Sequence, residues 1–131
     1  MATIKSYTDI NQSKKLAEIL PLESADMHYW KRTWKENDYA ISVGHSKELQ
    51  EGFESKCIEY IPCWSLAALL DVLPENIKFK DNKYYLRFMK DYVEYANDVF
   101  SITGRCLHTT GNNLVDACYE MIIKLNEQKL L

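Results

Sequence analysis

The residues with the most chemistry to offer lie between positions 28 and 34, where aromatic and basic side chains alternate. If this stretch is a regular strand, Trp30, Arg32 and Trp34 share one face with His28, because successive side chains point to opposite faces. Two indole rings that flank a guanidinium can stack on the bases of a single-stranded nucleic acid or anchor a protein partner. The alternative is that both tryptophans pack under a helix while Arg32 reaches solvent. These three residues are the predicted binding residues.

The other polar residues form no catalytic or metal-binding pattern. Cys57 and Cys63 have five residues between them, and Cys106 and His108 have one, whereas zinc modules place two to four residues between paired ligands. A composite site of these four residues is the alternative to free thiols. The four glycines are dispersed and Ser65 lacks the flanking glycines of a nucleophile elbow. No catalytic residue, metal, cofactor or disulfide is predicted.

Length and composition indicate one globular domain over residues 1–131. The chain is 47% hydrophobic and 27% charged, and its nine Tyr, four Phe and three Trp favour a sheet-containing fold. A net charge of −3 argues against non-specific binding to nucleic acid or anionic membranes, although it leaves room for a local basic patch. No apolar run approaches the roughly 20 residues that span a bilayer. The expectation is an intracellular protein.

The elements that position these residues are arranged around the apolar stretch 61–74. Pro62 suits a first helical turn and Pro74 forbids continuation, so the stretch is predicted to be a central helix. Leu66, Leu69, Leu70 and Leu73 lie on one stripe of that helix. Because its other sides are also nearly apolar, we expect it to be covered on more than one side.

The remaining elements are predicted from caps, turns and alternation. Asp9 and Gln12 form a capping box for a first helix that ends at Pro21, and Asn112 or Asn113 caps a final helix. Strands are predicted at 28–34, 39–44, 57–61, 77–80, 84–89 and 92–102, where a helical turn is the alternative for 92–102. Residues 104–111 are predicted to form a loop, and residues 45–56 a loop or short helix. In the second hairpin, Asp81, Asn82 and Lys83 are predicted to make the turn, and side chains 85 and 87 oppose 86 and 88.

The predicted fold class is therefore α+β: a mostly antiparallel sheet, built from hairpins, is covered by about three helices in a layered α/β sandwich. Five segments of the chain resemble a family of uncharacterised small proteins carried by phages and mobile elements of gut anaerobic bacteria. These segments are TDI at 8–10, SKKLAEIL at 13–20, SADM at 24–27, IPCWSL at 61–66 and VDACYEM at 115–121. The order of elements is also similar to that of the phage ABA sandwich domain. The resemblance implies a phage or prophage origin and a bacterial cytoplasmic location, and it supplies no catalytic residues.

Three functions follow as hypotheses. The leading one is a non-enzymatic accessory or interaction protein that acts on a host or phage protein. The second is a small enzyme or ligand-binding protein with a pocket beside the central helix, which requires His28, His45 or His108 to lie near a carboxylate or thiol. The third is a single-strand nucleic-acid binder that uses the three predicted binding residues, although the net charge argues against it.

Overall fold

The computed structural model describes residues 5–31, 38–43, 59–97 and 105–131. The helices in these ranges are α1 (Ile10–Ala17), α2 (Leu66–Val72) and α3 (Leu114–Glu127), with a 3₁₀ turn at Leu22–Ser24. The strands are β1 (Met27–Lys31), β2 (Ala40–Val43), β3 (Glu59–Cys63), β4 (Asn76–Phe79), β5 (Asn82–Phe88), β6 (Tyr92–Ala96) and β7 (Arg105–Thr110). All strand pairings in these ranges are antiparallel, so the predicted α+β class is confirmed. The described strands form two sheets, however, with the orders β2-β1-β3 and β4-β5-β6-β7.

The chain divides into two compact units, and the division falls within α2, between Ala68 and Leu69. We call Tyr7–Ala68 the N-terminal unit, and residues 5–6 with 69–131 the C-terminal unit. Each unit contains one of the two sheets. The prediction of a single domain over residues 1–131 stays a prediction.

The N-terminal unit begins with the predicted capping box. Asp9 Oδ1 accepts from the Gln12 backbone N–H over 2.8 Å, and the Gln12 side chain accepts from the Asp9 N–H over 3.1 Å. These bonds satisfy two donors that the first helical turn leaves without partners. The core of the unit is built from Tyr29, Ile61 and Cys63 of the three-stranded sheet.

The prediction that the central helix starts at residue 61 was wrong, because residues 59–63 form strand β3. Pro62 lies on β3, at the edge of the described sheet, and stands opposite His28 of β1. At this edge position the missing N–H of the proline costs no ladder bond. The helix starts only after Ser65, whose Oγ accepts from the Ala68 N–H over 3.2 Å. The Asp26 carboxylate in turn accepts from the N–H and the hydroxyl of Ser65. Ser65 is therefore a helix cap that Asp26 holds in place.

The predicted covering of this helix on more than one side was also wrong. Leu69 is fully buried, whereas Leu66 and Leu70 are half-buried and Ala67 and Asp71 are exposed. Only seven residues are helical, so α2 is a short helix with one buried side.

The C-terminal unit packs α3 on one face of the four-stranded sheet. Asn113 caps α3 as predicted, its Oδ1 accepting from the Asp116 N–H over 2.8 Å. The apolar side of α3 is fully buried against β6 and β7, where Thr109 Oγ1 donates to the Ala117 carbonyl over 2.8 Å. The buried side chains are Val115, Cys118, Met121, Ile122 and Leu125 of α3 with Val93, Tyr95 and Leu107 of the sheet. Burial of each of the larger ones contributes about 1.5–3 kcal/mol.

Two sequence assignments in this unit differ from the structure. Residues 105–110, predicted as part of a loop, form strand β7 and pair with β6. The turn of the second hairpin, predicted at 81–83, consists of Lys80 and Asp81, both with positive φ (51° and 66°). Two successive left-handed residues make the hairpin turn whose twist matches that of the strands.

Candidate functional site

Of the three predicted binding residues, Trp30 alone lies in the described part of the chain. It lies on β1, the middle strand of its sheet, between Ala40 on β2 and Tyr60 on β3. Its side chain is half-buried, and its indole N–H donates to Ser42 Oγ over 3.1 Å. Part of the ring therefore serves the packing of the sheet. Arg32 and Trp34 fall outside the described residues, so the predicted Trp–Arg–Trp surface stays a prediction.

The two faces of β1 have different roles. Tyr29 points to the core of the unit, and its hydroxyl donates to the Thr8 carbonyl over 2.7 Å. His28 lies on the other face with Trp30, as the alternation predicted, and its ring stacks on Tyr60 with 5.1 Å between centroids. The imidazole is fully buried, and this burial lowers its pKa because the charged form loses its hydration. Its burial and its stack on Tyr60 favour a packing role for His28.

His108 is the described histidine that lies near a carboxylate. It stands opposite Glu94 across β6 and β7, and its ring stacks on Tyr92 with 5.3 Å between centroids. Glu94 Oε1 accepts from Arg87 Nε over 3.1 Å, and only 4% of the Glu94 side chain is exposed. A carboxylate that is shielded and paired with a guanidinium is poorly placed to exchange protons with a substrate. The arrangement therefore favours a structural pair over acid–base catalysis.

The enzyme hypothesis also places its pocket beside the central helix. Two cavities adjoin the four-stranded sheet, one between β7 and α3 and one beside Tyr85, and neither lies beside α2. His45 falls outside the described residues.

The cysteines in the described ranges are free thiols, namely Cys63, Cys106 and Cys118, while Cys57 lies outside them. Cys63 Sγ is fully buried, 3.6 Å from Thr8 Oγ1, and burial raises its pKa. Burial raises the pKa of Cys118 to about 12. Both sulfurs are therefore protonated at neutral pH and shielded from reagents. The part of the chain that the structure describes holds no cluster of three or more His, Cys, Asp or Glu suited to a metal ion.

Strand β7 presents a row of backbone groups that no described strand pairs with, because it stands last in its sheet. The direction of these groups follows from the ladder with β6. The Gly111 N–H donates to the Asp91 carbonyl over 3.0 Å, in the same register as the pair Val93 and Thr109. Since hydrogen-bonded and non-hydrogen-bonded pairs alternate, Thr109 bonds β6, whereas the N–H and C=O groups of His108 and Thr110 face outward.

A groove of about 360 Å³ runs beside this open edge, between β7 and α3. Its wall on α3 consists of Glu120, Ile123, Lys124 and Glu127. Lys124 Nζ lies 3.4 Å from the His108 carbonyl oxygen, one of the outward-facing acceptors. The groove therefore combines a strand edge, an apolar side chain and charged side chains of both signs.

Sequence reasoning missed this edge because residues 105–110 are mostly polar and contain no long apolar side chain except Leu107. The alternation of the buried side chains Leu107 and Thr109 with His108 and Thr110 was the signal that could have identified a strand.

In the described ranges, every helix is too short or too polar to cross a membrane. No family model, curated protein or solved structure matches this chain.

Proposed function

We propose that this chain is a non-enzymatic interaction protein that binds an extended segment of a partner protein along the open edge of β7. The observation that carries the proposal is the outward-facing backbone of His108 and Thr110 beside the groove on α3. The resemblance of the sequence adds a phage or mobile-element origin, a host or phage protein as the partner, and the bacterial cytoplasm as the location.

An added strand would use two kinds of contact. Its backbone would bond the N–H and C=O groups of His108 and Thr110, which gives affinity for any extended chain. Its side chains would alternate between the two faces of the sheet, and those on the α3 side would meet Ile123. Specificity would then depend on the side chains that fit this wall of the groove.

Lys124 regulates access to the edge in this proposal. A lysine beside an open strand is a common protection against unwanted pairing. Its ammonium donates a hydrogen bond to the His108 carbonyl oxygen. An incoming strand must displace the ammonium before its own N–H can donate to that oxygen. Truncation of Lys124 should therefore strengthen peptide binding.

The test begins with a library of randomised extended peptides, from which the folded protein selects its ligands. Selected peptides should shift and protect the backbone amides of His108 and Thr110 in NMR spectra. Thr110→Pro should abolish this binding, because proline removes the outward N–H but leaves the ladder with β6 intact. Thr110→Val, which keeps the N–H, is the matched control and should bind like the wild type. Thermal unfolding of both variants checks that each is folded.

Lys124→Met supplies a second variant that leaves the backbone unchanged, and it should bind the selected peptides more tightly. Equal binding by the proline and valine variants would overturn the proposal, and so would peptides that map to another surface or a failure to select any. Amide shifts at β7 that depend on protein concentration alone would identify a second copy of the chain as the occupant and would also overturn it.

A further inference from the structure

The hairpin of β4 and β5 places two lysines in an unfavourable position. Its two-residue turn sets the register in which Lys78 stands directly opposite Lys83. The Leu86 N–H donates to the Glu75 carbonyl over 2.9 Å, so the hydrogen-bonded pairs fall at even-numbered residues of β5. Lys78 and Lys83 are therefore a non-hydrogen-bonded pair, whose Cα atoms lie only about 4.5 Å apart.

Like charges at such a pair destabilise the hairpin. Both side chains are exposed, and no described carboxylate forms an ion pair with either of them. An anion between the two ammonium groups would offset their repulsion. The pair is thus a local basic patch on a chain whose net charge is −3.

An aromatic side chain and a cavity adjoin this patch. Tyr85 follows Lys83 on the same face of β5, is 52% exposed, and has Lys83 Nζ 5.5 Å from its ring centroid. Opposite Tyr85 on β6 stands Ala96, whose small side chain leaves room beside the ring. The result is a cavity of about 200 Å³ lined by Tyr85, Leu86, Arg87, Ala96 and Asn97.

The net positive charge of this face comes from the lysines. The Arg87 guanidinium lies at the far side of the cavity, where the Glu94 carboxylate neutralises it. The Cα atoms of Tyr85 and Lys83 lie about 7 Å apart along the strand, and the Lys83 ammonium lies 5.5 Å from the ring centroid. A base at the ring and a phosphate at the lysine pair would therefore be separated by a distance of this order, which one nucleotide can span.

We propose that this face binds a nucleotide unit, with the base stacked on Tyr85 in the cavity and the phosphate between Lys78 and Lys83. The charge of the lysine pair, the exposed ring and the cavity beside it all match this ligand class. The site lies on β4, β5 and β6, so it does not rest on the function proposed for the edge of β7.

Fluorescence anisotropy with a labelled single-stranded oligothymidylate tests the proposal at salt concentrations from about 20 to about 200 mM. The double variant Lys78→Gln/Lys83→Gln should bind more weakly, and its plot of log K against log salt should be less steep by about 0.7, because the one phosphate between the two lysines is no longer neutralised. Lys14→Gln/Lys15→Gln removes the same charge from α1 and should leave the slope unchanged. Tyr85→Leu should weaken binding by about 5- to 150-fold, the loss of one stacked base. Phe88→Leu changes an exposed ring on the other face of β5 and should have no effect.

Competition distinguishes the possible sources of the ligand. Thymidine monophosphate should displace the oligonucleotide if the site takes a single nucleotide, whereas displacement by longer strands alone would place the unit within a nucleic-acid strand; both outcomes support the proposal. Inorganic phosphate that competes as well as the nucleotide would overturn it, because the base would then contribute nothing. Undetectable binding at the lowest salt would overturn it too, and so would equal losses in the two double variants or wild-type affinity in Tyr85→Leu.

Discussion

Acid should destabilise this protein through His28, and the distance of the pH below the usual pKa of 6.5 sets an upper bound on the effect. The imidazole is fully buried and its pKa is lowered from the usual 6.5. Below pH 6.5 the unfolded chain takes up a proton that the folded chain resists, so this contribution to stability is complete above pH 6.5 and is lost as the pH falls towards the folded-state pKa. For a strongly lowered pKa the loss reaches at most about 1.4 kcal/mol at pH 5.5, which is about 5 °C in melting temperature for a chain of this length.

The perturbation that isolates this effect is His28→Phe, because phenylalanine keeps a ring against Tyr60 but cannot take up a proton. Urea unfolding at pH 8 and at pH 5.5 should show that the wild type loses up to about 1.4 kcal/mol more on acidification than the variant does. His108→Phe makes the same replacement at the His108–Tyr92 stack and should retain the acid loss that His28 causes. If His28→Phe and the wild type lose the same stability between these two pH values, the reasoning from burial is refuted.

Two further predictions concern the C-terminal unit. Gly111→Ala should lower the free energy of unfolding by about 1–3 kcal/mol, because a Cβ at this position would lie 2.7 Å from Asp116 Cβ and 2.8 Å from the Ala117 backbone nitrogen. An unchanged midpoint of urea unfolding would contradict this, because the start of α3 would then have moved to accommodate the methyl group. Arg87→Met should destabilise by up to about 3–5 kcal/mol because it leaves the buried Glu94 carboxylate without this partner, and the double variant Arg87→Met/Glu94→Met should recover most of the loss. A double variant less stable than Arg87→Met would contradict this account of the pair.

The parts of the fold that sequence reasoning identified correctly are those with strong local signals. The capping box of Asp9 and Gln12 and the cap at Asn113 depend on residues only three positions apart. The alternation in β5 also correctly placed Tyr85 and Arg87 on one face. Such signals need no knowledge of the rest of the chain, because the interacting groups lie within one turn or one strand.

The errors arose where tertiary context decides between local alternatives. Pro62 suits both a first helical turn and an edge strand, and only its pairing with His28 selects the strand. The sequence around Leu107 is mostly polar and is typical of a loop, and only its pairing with β6 identifies it as a strand. These are long-range pairings, for which periodicity alone carries little information.

The candidate sites were hidden for a related reason. A turn at 81–83 instead of at Lys80 and Asp81 shifts the register of the hairpin, and a shift of one residue reverses the face on which a side chain lies. The opposition of Lys78 and Lys83 therefore appears only once the turn is known. The open edge of β7 requires the order of the strands, which no single segment encodes.

The complete burial of Cys63 and Cys118 offers a way to measure the folding of this chain. One sulfur lies in each unit, and both are fully buried with a raised pKa. An alkylating reagent can reach each one only while its own surroundings are open, so the rate of modification reports the local opening equilibrium. Peptide mass mapping of the two sites thus yields two opening free energies from one unmutated sample. Equal values that respond together to denaturant indicate one cooperative folding body, and unequal values that also differ in their dependence on denaturant indicate that the two units open independently.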